Sequence, residues 1–136
     1  MIKMILSIII PAYNEEKTIS EIIERVKSQK LNGIKKEIIA VNDGSTDKTR
    51  EFMEKIKGIK IINHEKNMGK GRAIRTALDN VKGDIILIQD ADLELSPTDY
   101  PALISPILNN NAEVVYGSRI LWNKNVKHNP LYYIGG

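Results

Sequence analysis

The sequence predicts an α/β protein: three α/β/α layers built on a mostly parallel sheet. Three observations lead there. Five short aliphatic runs alternate with amphipathic stretches, in the order βαβαβαβαβ. Apart from Ser7 and Lys60 the runs are continuous rather than alternating, as in strands buried on both faces of a parallel sheet. The polar residues with unusual chemistry cluster just after those runs, where open α/β sheets bind their ligands.

The elements follow in order. Leu6 to Ile10 reads as the first strand. The apolar N-terminus with Lys3 resembles a weak signal peptide, but the run ends at Pro11 and meets Asn14, Glu15 and Glu16 without a small-residue cleavage site, so a buried strand is expected. Ile19, Ile22, Ile23 and Val26 recur at helical spacing, with Asn14 as the expected cap. Ile38 to Val41 is the second strand. Ser45 or Thr46 is expected to cap a second helix carrying Phe52, Met53 and Ile56. Ile59 to Ile62 is the third strand. A third helix is expected over Gly69 to Val81, with Ala73, Ile74, Ala77 and Leu78 facing inward. Ile85 to Ile88 is the fourth strand. Ser96-Pro97-Thr98-Asp99 starts a helix, with a Ser cap and Pro at the first position, running to about Asn109. Val114 to Tyr116 is the expected fifth strand.

The composition agrees with one globular domain over residues 1–136: 42% of residues are hydrophobic and 27% charged. The net charge of +3 suits an anionic ligand such as a nucleotide diphosphate but is too weak to indicate nucleic acid. There is no cysteine, which rules out disulfide and thiolate chemistry and makes a reducing compartment the expectation. No stretch is long enough to span a bilayer as a helix, so a soluble or peripheral cytoplasmic protein is expected. Neither a P-loop nor a G-x-G-x-x-G after the first strand is present, which argues against an NTPase and a Rossmann dehydrogenase.

Four polar segments follow strands. Asp90-Ala91-Asp92 places two carboxylates around a small residue, and such a pair repels unless a cation or proton separates them. Oxygen ligands of this kind suit Mg²⁺ or Mn²⁺, which keep waters and accept phosphate oxygens. The plainer alternative is an exposed acidic turn capping the next helix. In Asn42-Asp43-Gly44-Ser45-Thr46-Asp47, Thr46 and Asp47 are read as turn chemistry, whereas Asp43 sits at a strand end where an acceptor reads a base or ribose edge. Glu15 and Glu16 open the first helix, where its dipole favours acids. The turn from Asn67 through Gly69, Lys70 and Gly71 to Arg72 either contacts a diphosphate or is a solvated loop. Arg119 offers a bidentate donor to phosphate or a surface ion pair. His64 and His128 lack zinc spacing and receive no role.

Taken together, these motifs resemble the GT-A glycosyltransferases, which use nucleotide sugars. The resemblance rests on Ser7 through Glu16, on Val41-Asn42-Asp43-Gly44-Ser45-Thr46-Asp47, on Asn67-Met68-Gly69-Lys70-Gly71 and on Gln89-Asp90-Ala91-Asp92, in the family's order. Asp90-Ala91-Asp92-Leu93-Glu94 and Tyr116-Gly117-Ser118-Arg119 are most similar to the dolichyl- or polyprenyl-phosphate sugar transferases. The resemblance implies a GT-A fold and a nucleoside pocket lined by Pro11, Ala12, Tyr13, Asn14 and Glu15. It implies that Asp43 contacts the base and Lys70 the nucleotide, that Asp90 and Ala91 lie near the ribose, and that Asp90 and Asp92 hold Mg²⁺ or Mn²⁺. Asp92 and Arg119 are the implied catalytic residues, with Arg119 facing phosphate.

The implied reaction moves a hexose from GDP-mannose or UDP-glucose to a lipid phosphate, with inversion. The alternatives are transfer to a saccharide or protein hydroxyl, or a non-catalytic nucleotide-sugar-binding module. Family enzymes continue past the position of Gly136, so a chain shortened at its C-terminus is expected. Trp122, Lys124, Lys127, His128, Tyr132 and Tyr133 suit peripheral contact at the cytoplasmic face of a membrane, or simply a closing helix.

Overall fold

The computed structural model describes residues 4–93 and 96–115. Strands β1 (Met4–Ala12), β2 (Ile34–Asn42), β3 (Lys60–Asn63) and β4 (Ile85–Ile88) alternate with helices α1 (Ile19–Ser28), α2 (Thr49–Glu54) and α3 (Lys70–Leu78). A 3₁₀ turn over Pro97–Asp99 leads into α4 (Tyr100–Leu108). The chain divides into two compact units, Met1–Pro97 and Thr98–Gly136.

In the first unit all strand pairs are parallel, in the order β3-β2-β1-β4. The path β1→β2→β3 advances one way, and β3→β4 returns past two strands. Right-handed crossovers therefore put α1 and α2 on one face and α3 on the other. Side chains alternate between the faces. Ile9, Ile39 and Val41 pack with Ala73 and Ala77 of α3, backed by Ile62, Ile74 and Val81. Leu6, Ile8, Ile10, Ile38 and Ala40 point the opposite way and are also buried. Both faces of β1 and β2 are thus covered, as their largely aliphatic runs predict. Removing one such side chain to Ala costs about 2–5 kcal/mol.

β4 departs from that expectation. Ile86 and Ile88 are 44% and 43% exposed: they share the face of Ile9, but α3 packs over β1 and β2 rather than over β4. Val114 and Val115 form no strand, so the expected fifth strand is absent at both; Tyr116 lies outside the described residues.

In α1 the four periodic aliphatics are fully buried, and the exposed side carries a Glu21–Arg25 ion pair. Its cap position is Thr18, not Asn14. Asn14 has a φ of 51° and spends its side-chain oxygen on the Thr46 N–H, 2.8 Å away. α2 begins at Thr49 rather than beside Ser45 or Thr46, and the Asp47 carboxylate accepts from its first N–H (2.9 Å). In α3, Leu78 is 41% exposed and does not face inward.

In the second unit, Pro106 lacks the N–H that would bond back along α4. The helix ends two residues later with Asn110 at a φ of 57°, Asn110 N–H donating to Ile107 O and Asn111 N–H to Pro106 O. Burial raises the Tyr100 hydroxyl well above its ordinary pKa.

Candidate functional site

Parallel pairing sends the carboxyl ends of all four strands to one rim, and the strand order reverses between β1 and β4. Pro11 marks that point. The last bond between the two strands runs from Gln89 N–H to Ile9 O (2.8 Å). Two residues on, the donor that would continue the ladder on that side of β1 is missing, because Pro11 has none.

Asp43 ties three elements at this rim. Its side chain is 4% exposed. Oδ1 accepts from His64 Nδ1 (2.8 Å) and Met68 N–H (2.9 Å), and Oδ2 from Gly69 N–H (2.9 Å) and Asn67 Nδ2 (3.2 Å). Its own N–H donates to Ala12 O at the end of β1 (2.9 Å). Burial alone would raise the carboxyl pKa; the bonds from His64, Met68 and Gly69 outweigh it and hold the group below the usual carboxylate range. Gly44 follows at a φ of +68°. A Cβ there would lie 2.2–2.7 Å from the backbone of Lys66 and Asn67, so only glycine lets the two turns touch.

The 64–70 turn leads directly to the acidic pair. Gly69 gives its N–H to Asp43, and the next residue, Lys70, places its amino group on Asp90 Oδ1. Adjacent residues thus bind the carboxylates that follow β2 and β4. Thr18 Oγ1 donates to Ala91 O (2.6 Å) and lies 3.2 Å from Glu15 Oε2, which fastens the Asp90-Ala91-Asp92 turn to the start of α1. The β1 and β2 turns are sewn together as well: Asn14 N–H donates to Ser45 Oγ, Glu15 N–H to Thr49 Oγ1 and Glu16 N–H to Asp47 Oδ2.

Asp43, Lys70, Asp90, Ala91, Asn14 and Glu15 therefore share one rim. Pro11 and Ala12 are buried at its floor, and Tyr13 is 46% exposed. Asp92 is exposed, two residues beyond Asp90 in the same turn. Arg119 lies outside the described residues, as do Trp122 and the rest of the aromatic tail.

The donors suit a divalent cation of the hard kind. Two carboxylates stand in one turn, and among the described residues no group of three or more His, Cys, Asp or Glu gathers to form an all-protein cage. Mg²⁺ and Mn²⁺ accept such sparse protein ligation when phosphate and water supply the remaining oxygens.

Two residues of the rim carry no signal in the usual motifs. His64, given no role by its spacing, has an 8% exposed side chain bonded at both nitrogens, to Asp43 and to Thr76 Oγ1 (2.8 Å). Its place directly after β3 is the signal that finds it. Thr18 looks like an ordinary cap, and its bond to Ala91 is visible only in the fold.

Among known proteins the likeness is consistent. The chain is 37% identical over 129 residues to a dolichyl-phosphate beta-glucosyltransferase of Trichomonas vaginalis, covering 85% of this chain and 39% of that protein. It is 33% identical over 132 residues to a dolichol-phosphate mannosyltransferase of Pyrococcus furiosus, covering 95% of this chain and 37% of that one. It thus spans under two fifths of the length of these curated relatives. A glucosyl-3-phosphoglycerate synthase from Mycobacterium tuberculosis, solved with Mn²⁺, uridine diphosphate and phosphoglyceric acid, superposes with a TM-score of 0.64 at 31% identity, over 76% of this chain and 38% of that chain. A mannosyltransferase from Pyrobaculum calidifontis, solved with GDP-Man and Mn²⁺, gives 0.55 at 29% identity, over 64% and 27%. The sequence pattern of Glycosyl transferase family 2 matches residues 7–134, and with the parallel sheet and GT-A neighbours in agreement, the chain belongs to that family.

Proposed function

We propose that this chain forms the donor-binding part of a glycosyltransferase that moves a hexose from a nucleoside-diphospho-sugar, GDP-mannose or UDP-glucose, to a polyprenyl or dolichyl phosphate. The observation that carries the reading is the run Asp43–Gly69–Lys70–Asp90, which joins the turns after β2 and β4 through two consecutive residues. The names of the relatives support the lipid-phosphate acceptor.

In this reading Pro11, Ala12, Tyr13, Asn14 and Glu15 line the nucleoside pocket, and Asp43, whose two oxygens are taken by His64, Met68, Asn67 and Gly69, shapes the base end of the pocket in place of the direct base contact expected from the resemblance. Asp90 and Asp92 hold Mg²⁺ or Mn²⁺, which when bound offsets negative charge on the diphosphate. Lys70 adds a second positive charge there. The anomeric carbon loses its bond to the diphosphate oxygen, which keeps the electron pair. An acceptor phosphate oxygen bonds the same carbon from the opposite side, giving inversion. A lipid phosphate is already anionic near neutral pH and needs little help from a base. The family resemblance would give Arg119 the task of binding a phosphate of donor or acceptor, and peripheral membrane contact would bring the acceptor within reach. No helix among the described residues is long and apolar enough to cross a membrane.

A second acceptor class has support in the neighbour solved with phosphoglyceric acid: a small hydroxyl compound in place of the lipid. Melting curves with Mn²⁺ plus UDP or GDP test the donor half of the proposal. Ligand at about one hundred times Kd adds about 2.7 kcal/mol and raises Tm by several degrees. A Tm that responds to neither nucleotide contradicts the reading. Transfer from the matching donor to a short polyprenyl phosphate, against 3-phosphoglycerate, separates the two acceptors.

A further inference from the structure

We propose that His64 is a positioning residue of the nucleotide site, a strut that fixes the Asp43 carboxylate and through it the turn that sets Lys70 opposite Asp90. The inference rests on the donor-site reading above and adds to it a residue that touches no substrate.

His64 follows β3 directly, and its N–H extends the ladder to Asn42 O (2.9 Å). The side chain is buried. An ionised carboxylate only accepts, so Nδ1 carries the hydrogen shared with Asp43 Oδ1 at 2.8 Å. Nε2 makes the ring's second hydrogen bond, with the Thr76 hydroxyl at 2.8 Å. Both nitrogens are committed, which leaves His64 no free polar atom for a ligand.

The two ends of this relay fall on the same helix. Thr76 lies in the body of α3, and Asp43 holds the N–H groups of Met68 and Gly69 just before it. The imidazole therefore braces the helix body against the carboxylate that holds the helix start, and Lys70 is the first residue of that helix. Removing the ring leaves Oδ1 with a single donor and lets the carboxylate turn. A displacement of about 1 Å at a charged contact is enough to cost orders of magnitude in function.

The test compares His64→Leu and His64→Asn with the natural protein. The asparagine amide reaches Asp43 with a donor near the place of Nδ1, while leucine offers none. Two readouts are taken: amide hydrogen exchange at Met68 and Gly69, and Kd for UDP and for GDP with Mn²⁺. The leucine variant is expected to exchange faster at both amides and to bind the preferred nucleotide about tenfold more weakly, whereas the asparagine variant recovers to within about threefold. A merely structural role would lower Tm in both variants without that rescue. Unchanged exchange and a Kd within about twofold of natural in a folded leucine variant would overturn the proposal, as would an asparagine variant that binds no better than leucine. If His64→Leu does not fold, Thr76→Val cuts the far end of the strut, and unchanged exchange at both amides in that variant overturns the proposal equally. If the natural protein binds neither nucleotide, the donor-site reading fails by itself, and the exchange data still decide whether the strut exists.

Discussion

The sheet carries a polar cluster at each end, and the two are built differently. Toward the amino ends of the strands, Ser7 is fully buried, donates to Glu37 (2.5 Å) and accepts from Gly83 N–H (2.9 Å), while Lys82 N–H also reaches Glu37 (2.9 Å). One carboxylate there meets hydroxyl and amide donors, and the cluster closes on itself. At the carboxyl ends, Asp43 is satisfied in the same manner, but beside it stand Asp90, Asp92 and Lys70, charged and partly or fully exposed. Buried, satisfied polar groups fasten a fold. The carboxyl-end rim differs in that Asp90 and Lys70 meet as a partly exposed ion pair, with Asp92 exposed in the same turn, which leaves charge accessible to the proposed ligand.

Substitutions at the two ends separate those roles. The largest effect is expected from Asp43→Ala, which leaves the His64 ring and the Met68 and Gly69 N–H groups without their acceptor; about 3 kcal/mol of stability should go, with nucleotide binding, in chemical denaturation and titration respectively. Gly44→Ala and Gly83→Ala form a matched pair. A Cβ at Gly44 meets backbone at 2.2 Å, and one at Gly83 meets Ser7 Oγ at 2.3 Å. Each should cost about 2 kcal/mol, but only the Gly44 variant should lose affinity for UDP or GDP. Equal losses of affinity would erase the distinction between the two ends.

Acid sharpens the same contrast. Burial raises the Asp47 pKa, but the bonds from Thr49 and Glu16 outweigh it, so Asp47, like Asp43, is held below its ordinary value of 3.8. A carboxyl depressed in the folded state stabilises fully above its unfolded pKa and loses that contribution as pH falls through the folded one. Stability should therefore be flat near neutrality and decline as pH drops below about 4. In Asp43→Asn that decline should be shallower, as followed by urea midpoints at several pH values. The smallest structural effect is expected at Lys70. Its ion pair with Asp90 is more than half exposed on the lysine side, so Lys70→Met should change stability by less than about 1 kcal/mol. Its affinity for a nucleoside diphosphate should nonetheless fall about tenfold by calorimetry.

Much of this arrangement is legible in the residues. The aliphatic runs Leu6–Ile10, interrupted only by Ser7, and Ile38–Val41 give two strands buried on both faces, and the polar segments after them mark the rim. Burial is the stronger signal, and where it weakens the reading fails. Val114 and Val115 have the composition of a strand but no ladder. Leu78 keeps the helical period yet stands exposed, because α3 ends there. Asn14 has the chemistry of a helix cap, but its left-handed backbone sends the side chain to Thr46 instead. His64 escapes because its partners, Asp43 and Thr76, are 21 and 12 residues away and meet it only when β2, β3 and α3 assemble. Long-range partners leave no local spacing to read.

In the proposed site the turn after β4 would hold a divalent ion against a nucleoside diphosphate. Mn²⁺ binding followed by electron paramagnetic resonance, with and without UDP or GDP, tests it directly in the natural protein and in Asp92→Ala. Nucleotide and Mn²⁺ are expected to strengthen each other's binding in the natural protein, and the coupling is expected to disappear in the variant. Mn²⁺ binding that ignores the nucleotide, or coupling that survives the loss of Asp92, would contradict the proposal.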